Sequence, residues 1–251
     1  MKFNSKILIL CGGQGKRMGS VTTKIPKPLA KIGEYSILHR KILNYSNQGY
    51  NNFIIAVGYK GDVIIDYITK LTLPIDIKIE FSDAGENAGI LDRINFARSL
   101  FDESIIITYG DTFTNIDLID FINKHNNSDN LVTIVTAPFR SPFGLVDISS
   151  ENKVTSFIEK PVLKYYIGYA ILNKKLFVDI PKKIIKAEDG NGLISLYNML
   201  ILQNKLGSYY FDGLDVTFNT EAELVEAEER IINLGLDSKA ISERLINLYQ
   251  S

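Results

Sequence analysis

The stretch Lys6-Ile7-Leu8-Ile9-Leu10-Cys11-Gly12-Gly13-Gln14-Gly15-Lys16-Arg17-Met18-Gly19 decides the fold. Its first part, 6–11, is a short apolar run that reads as a strand buried on both faces. Its second part turns the end of that strand into a glycine loop. In open α/β sheets ligands sit at the carboxyl ends of strands. Glycines there let backbone N–H groups approach phosphate oxygens closely. Leu10, Gly12, Gly13 and Gly15 therefore outline a phosphate loop, and Lys16, Arg17, Lys24 and Lys27 bring positive charge suited to a nucleoside triphosphate. The plainer reading is a tight glycine turn with solvated cations.

Two other phosphate motifs fail on detail. A GxGxxG fingerprint begun at Gly13 needs glycine where Met18 stands, and no register supplies GxxxxGK[ST]. What favours a binding loop is the next segment, Ile25-Pro26-Lys27-Pro28-Leu29. Two prolines bracket one lysine and stiffen its backbone, which pre-organises its charge.

Working outward, apolar runs alternate with amphipathic segments. Strands are predicted at 53–57, 77–81, 105–109 and 131–136, and helices at 36–48, 62–69, 90–100 and 116–126. Ser36 is the expected N-cap of the first helix and Gly49 its stop. This alternation predicts an α/β fold, a Rossmann-like, mostly parallel sheet with helices on both faces. After Pro138 the rhythm changes. Short strands at 144–148, 154–158 and 166–172 predict a small antiparallel addition. A helix at 193–203, strands near 208–211 and 216–219, and helices at 221–234 and 238–249 follow. No repeat or long linker divides the 251 residues, so one domain is expected.

Composition excludes several classes. Apolar residues make up 45% and charged residues 23%, with a formal net charge of -1. Nothing global draws the chain to nucleic acid or an anionic membrane. The apolar run 7–11 is too short for a signal-peptide core or a membrane span, so a cytoplasmic protein is expected. Cys11 is the single cysteine, and His39 and His125 are the only histidines. A disulfide within the chain is thereby excluded, and His-based catalysis and a His-rich metal site are not expected.

Asp111 follows the apolar strand that ends in Thr108-Tyr109-Gly110. A carboxylate at a strand's carboxyl end, beside a glycine, can hold Mg2+ against a triphosphate. Gly-Asp is also a common turn pair.

The segments Gly12-Gly13-x-Gly15-x-Arg17-Met18, Pro26-Lys27-Pro28-Leu29 and Ile32-Gly33 together closely resemble the sugar-1-phosphate nucleotidyltransferase family, with Lys16 in place of the usual threonine. The resemblance continues through Gly58-Tyr59-Lys60-Gly61, Thr108-Tyr109-Gly110-Asp111, Phe157-Ile158-Glu159-Lys160-Pro161 and Gly168, over roughly residues 6 to 230. Gly58–Gly61, Thr108–Asp111 and Asp83-Ala84-Gly85 look most like its glucose-1-phosphate cytidylyltransferase branch.

The resemblance implies a single nucleotidyltransferase domain over 1–251, with a nucleotide-binding half (1–137), an acceptor-binding half (138–220) and C-terminal helices (221–251). It implies CMP transfer from CTP to a phosphorylated small-molecule acceptor, with Mg2+ as cofactor. Arg17 would grip the β- and γ-phosphates, Lys27 would act at the α-phosphate and Asp111 would hold the metal. Lys16 and Gly110 would join the nucleotide loop. Residues 83–89, with Asp83, Glu86 and Gly89, would meet the base, a carboxylate accepting from the cytosine amino group. Gly144, Glu159, Lys160, Tyr166 and Gly168 would face the acceptor.

Two departures stand out. Family members carry a second metal-binding Asp where this chain has Phe218-Asn219-Thr220, so Asn219, or Asp215 nearby, becomes the expected second ligand. The family's sugar-binding glycines are replaced by Asn87-Ala88-Gly89-Ile90-Leu91-Asp92-Arg93 and by Tyr166-Ile167-Gly168-Tyr169. A phosphorylated amine or amino acid then becomes a plausible acceptor. The chain resembles the cytidylyltransferases that take phosphoglutamine in capsular O-methyl phosphoramidate synthesis; glucose-1-phosphate and phosphocholine are the alternatives. A catalytically inactive nucleotide-binding subunit stands as a reading of another class, favoured by Asn219. Homo-oligomerisation is left open by the apolar C-terminal segments.

Overall fold

Alternating apolar runs and amphipathic helices assemble here into one sheet with a helical layer on each face. The computed structural model describes residues 5–13, 25–217 and 221–233. Its strands are β1 (Ile7–Leu10), β2 (Lys31–Ile32), β3 (Tyr35–Ser36), β4 (Asn52–Val57), β5 (Lys78–Asp83), β6 (Ser104–Tyr109), β7 (Thr112–Thr114), β8 (Val132–Arg140), β9 (Leu145–Ile148), β10 (Val154–Ile158), β11 (Val162–Asn173), β12 (Leu206–Tyr210) and β13 (Asp215–Thr217). Its helices are α1 (Ile37–Asn47), α2 (Gly61–Thr69), α3 (Ile90–Phe96), α4 (Leu118–Asn126), α5 (Lys182–Ile185), α6 (Asn191–Leu202) and α7 (Glu221–Asn233).

Seven strands form the main sheet in the order β12-β8-β11-β6-β1-β4-β5. Within it β6, β1, β4 and β5 are parallel, as are β8 and β12, while β11 runs against both β6 and β8. The expected mostly parallel sheet is therefore present. The antiparallel addition after residue 138 is present too, as the β9–β10 ribbon.

Alternation along β1 explains both cores. Ile7 and Ile9 face the layer that holds α1, α2 and α4, packing with Leu38, Ile42, Ile64 and Phe121. Leu8 faces the other way, onto Leu91 and Ile94 of α3 and Leu196 of α6. Each such fully buried side chain contributes about 1.5–3 kcal/mol. Period-2 side-chain alternation thus serves two helical layers from one strand.

Several elements depart from their predicted limits. The helix expected over 90–100 is α3, continued by a 3-10 turn over Ala97–Leu100. The strand expected to stop at 136 runs on through Pro138 to Arg140. Its pairing with β12 ends at Thr136, so from there β8 is an edge strand, where a missing N–H costs no ladder bond. The strand expected at 166–172 is the longer β11, whose ladder with β8 shifts between Tyr166 and Ala170. Ser36 caps α1 as expected, accepting from the His39 N–H at 3.1 Å. The strand at 216–219 and the helices at 221–234 and 238–249 extend outside the described residues. Among the described residues no helix is long and apolar enough to cross a membrane.

Candidate active site

The site forms where β1 and β6 end side by side. Leu10 pairs with Tyr109, and the Leu10 carbonyl accepts from the Gly110 N–H at 2.9 Å. Gly110 lies at a crowded junction. A Cβ there would come within 2.9 Å of Cys11 Sγ, the Leu10 carbonyl oxygen and Pro28 Cγ. Glycine is what lets the two strand ends and the proline turn meet.

Pro26 precedes and Pro28 lies within a 3-10 turn over Lys27–Leu29, which buries Lys27. Its ammonium donates to Asp111 Oδ2 at 2.7 Å. The lysine is 8% exposed and the aspartate 27%, so the pair opens to solvent from the carboxylate side. Lys27 and Asp111, singled out separately in the sequence, are thus neighbours.

Gly12 and Gly13 differ in kind. Among the described residues nothing stands within 4 Å of where a Cβ on Gly13 would be, whereas a Cβ on Gly12 would lie 2.5 Å from Arg93 Nη1. Gly15, Lys16, Arg17 and Lys24 lie outside the described residues.

Beneath Asp111 lies a cation that sequence reasoning passed over. Lys41 of α1 is fully buried. It donates to Thr108 Oγ1 at 2.7 Å, to the Tyr169 hydroxyl at 2.9 Å and to the Thr112 carbonyl. One ammonium therefore ties the Thr108 side chain to the Thr112 carbonyl, on either side of Tyr109-Gly110-Asp111. The Tyr169 hydroxyl also meets the Tyr45 hydroxyl at 2.7 Å. Burial acts to raise the Tyr169 phenol, yet the charge and hydrogen bond of Lys41, with Thr108 and Thr114, bring it below its ordinary value. Tyr45, buried beside it, is pushed well up. A lysine at the apolar-face position between Ile37 and Tyr45 was the available signal.

Asp83 ends β5, and its Oδ1 accepts from the Gly85 N–H at 2.8 Å, closing an Asx turn. Glu86 is exposed, and its carbonyl accepts from Arg93 Nη2 at 3.0 Å. Gly89 precedes α3 against the Ala187 carbonyl, and the Ile90 N–H donates to the Asp189 carbonyl at 2.8 Å.

On the expected acceptor side, Gly168 has φ +79, and a Cβ there would lie 2.8 Å from Tyr109 Cδ2. The Tyr109 ring meets Tyr166 edge-on at 6.0 Å, and Tyr166 meets Tyr197 edge-on at 5.9 Å. Burial first, then the neighbouring tyrosines, pushes the Tyr166 phenol well up. Tyr166 and Gly168 thus join the end of β6. Gly144 joins Glu159 instead: a Cβ on it would lie 3.2 Å from Glu159 Oε2. Glu159 and Lys160 approach to 4.0 Å with both side chains largely exposed.

Among expected metal ligands, Asp111 and Asp215 are described and Asn219 lies outside the described residues. Asp215 pairs with Thr114 of β7, the strand that begins directly after Asp111. Its Oδ2 accepts from the Tyr165 hydroxyl, and its buried Oδ1 has no hydrogen-bond partner among the described residues. Burial raises its carboxyl, against the Tyr165 hydrogen bond and the charges of Arg230 and Lys41. Among the described residues no three His, Cys, Asp or Glu side chains gather to hold a metal.

The family model "Nucleotidyl transferase" matches residues 6–217. The chain belongs to the nucleotidyl transferase family. This nucleotidyl transferase is 32% identical over 249 residues to a probable glucose-1-phosphate cytidylyltransferase of Bacillus subtilis, covering 89% of this chain and 95% of that one. It is 33% identical over 177 residues to a D-glycero-alpha-D-manno-heptose 1-phosphate guanylyltransferase of Campylobacter jejuni, covering 68% and 77%. Among solved structures, HddC from Yersinia pseudotuberculosis superposes with a TM-score of 0.70 at 25% identity, covering 90% of this chain and 99% of that one. The expected fold and enzyme class are thereby established.

Proposed function

We propose that this nucleotidyltransferase transfers CMP from CTP to a phosphorylated small-molecule acceptor, with phosphoglutamine, for capsular polysaccharide modification, as the preferred acceptor. The carrying observation is the 2.7 Å Lys27–Asp111 pair at the carboxyl ends of β1 and β6. CTP is favoured by the similarity to a cytidylyltransferase over most of both chains.

An acceptor phosphate oxygen attacks the α-phosphorus in line. The new P–O bond forms as the bond to the bridging oxygen breaks, and pyrophosphate leaves. Two anions meet, so positioning and charge neutralisation dominate. Lys27, held by its proline turn, stabilises charge on the α-phosphate, and Arg17 binds the outer phosphates. Asp111 would hold Mg2+, with Asn219 and Asp215 as further candidate ligands. One or two carboxylates plus substrate phosphates suit that ion, which seldom sits in an all-protein cage. When bound, it supplies charge neutralisation to the triphosphate.

The acceptor preference rests on residues 87–93 and 166–169. Gly89 and Ile90 are packed against 187–189, Arg93 is bonded to protein carbonyls, and Tyr166 sits among tyrosines. These segments are occupied with internal contacts where a hexose-binding enzyme uses its glycines. A sugar-1-phosphate acceptor is the second reading, favoured by the same Bacillus relative.

Pyrophosphate release with Mg2+, each of CTP, UTP, dTTP and GTP, and phosphoglutamine, phosphocholine or glucose-1-phosphate tests this. CTP with phosphoglutamine is the expected pair. Turnover with glucose-1-phosphate alone establishes the second reading. Silence with every pair leaves an inactive nucleotide-binding subunit.

A further inference from the structure

The Arg93 guanidinium lies inside the protein at the meeting point of three chain segments. It sits where a Cβ on Gly12 or on Gly58 would have to be. Its Nη1 donates to the Val57 carbonyl at 2.8 Å and its Nη2 to the Glu86 carbonyl at 3.0 Å. Gly12 follows β1, Val57 ends β4, and Glu86 lies in the loop that follows β5. The planar fork therefore spans from the end of β4 to the 84–89 loop with two donors that diverge by geometry, and it packs against Gly12 on the way.

Burying this cation is costly, and desolvation lowers its pKa while Asp83 and Asp92 counteract. A core made only to be stable would fill this volume with an apolar side chain. Both glycines instead leave room for a guanidinium, and its bonds go to backbone oxygens rather than to a paired carboxylate. The bonds fix main-chain position, not a salt bridge. The Asp83 turn sits at the start of the same loop, so both ends of 83–86 are pinned.

We propose that Arg93 is a positioning residue for nucleotide selection, locking the 83–89 loop to the end of β4 against Gly12, so that base and phosphates are read in one fixed relation. This rests on reading 83–89 as the loop that meets the base. Selection by hydrogen bonds needs donors and acceptors held to within a fraction of an ångström. Without the guanidinium, phosphate contacts survive on the glycine loop while the base-reading loop loses its anchor. Arg93 touches no reacting atom in this account.

The test is calorimetric titration of the full chain with CTP–Mg2+ and UTP–Mg2+, for wild type, Arg93→Lys and Arg93→Ala, without acceptor. Wild type should prefer CTP. Arg93→Ala should lose about tenfold or more of that preference, the scale of one charged hydrogen bond, and Arg93→Lys should lose most of it because an ammonium cannot span both carbonyls. The ratio of affinities does not move with the fraction of folded protein, so a merely structural role leaves it unchanged. An Arg93→Ala preference equal to wild type overturns the inference. A wild type that binds both nucleotides without preference overturns the base reading beneath it, and one that binds neither overturns nucleotide binding itself. Should both variants fail to fold, hydrogen exchange on wild type decides: CTP–Mg2+ should slow exchange at 12–13 and 84–89 together, and slowing at one segment alone overturns the coupling.

Discussion

The Lys27 ammonium and the Asp111 carboxylate lie 2.7 Å apart although 84 residues separate them in the chain. One comes from a proline-braced turn and the other from the end of β6, so rigid elements hold both. Asp111→Ala should abolish pyrophosphate release, and Lys27→Met should lower kcat about 10^2–10^3-fold, the scale for losing one aimed positive group. Circular dichroism should show both variants folded. Retained turnover in Asp111→Ala would move the metal elsewhere.

Lys41 serves three oxygens from a fully buried position. Lys41→Met should lose about 2–3 kcal/mol in urea unfolding, the cost of leaving buried oxygens without a donor. Activity should fall as well, because the same bonds shape the turn that carries Asp111. A variant as stable as wild type would mean that water replaces the ammonium.

His39 has its pKa lowered to about 4, by burial first and then by Arg40. Its unfolded value lies near 6.5. Between these values the unfolded chain binds the proton and the folded chain does not. The stability that His39 contributes is therefore complete above about pH 6.5 and is lost as pH falls through about 4. His125, held down by burial and by Lys175, adds in the same direction. Urea midpoints measured from pH 7.5 to 4 should fall, and His39→Gln should flatten the slope.

Gly168 combines a positive φ with close approach to the Tyr109 ring. Gly168→Ala should cost about 1–3 kcal/mol through backbone strain. Steady-state kinetics should also show a raised KM for the acceptor, since the displaced Tyr109 immediately precedes Gly110-Asp111. An unchanged KM with lowered stability would confine Gly168 to a structural role.

Much of this architecture could be read from the chain. The run 6–11 and the following glycines announce a strand and its loop, and Ser36 announces a helix start. The Lys27–Asp111 contact was half legible: each residue carried a local signal, but only the β1–β6 pairing makes them neighbours. Lys41 and Arg93 were not, because a charged residue amid a helix's apolar positions does not reveal which carbonyls will receive it. Glu86 was singled out for its carboxylate, and the structure also enlists its carbonyl. Pro138 looked like a strand end, which it would be in a strand paired on both sides; on the free edge of β8 its missing N–H goes unnoticed.

One consequence follows from the direction of β11. Because it runs against β6, its early residues Tyr166 and Gly168 lie level with the carboxyl end of β6, and they are reached through the β9–β10 ribbon. The expected acceptor contacts therefore arrive on a strand entering the site, while Lys27 and Asp111 stand on turns and strands of the first half of the chain. Duplicated copies of such a gene can diverge in residues 87–93 and 141–169 and leave Lys27 and Asp111 untouched, so changes of acceptor between paralogues should be concentrated there.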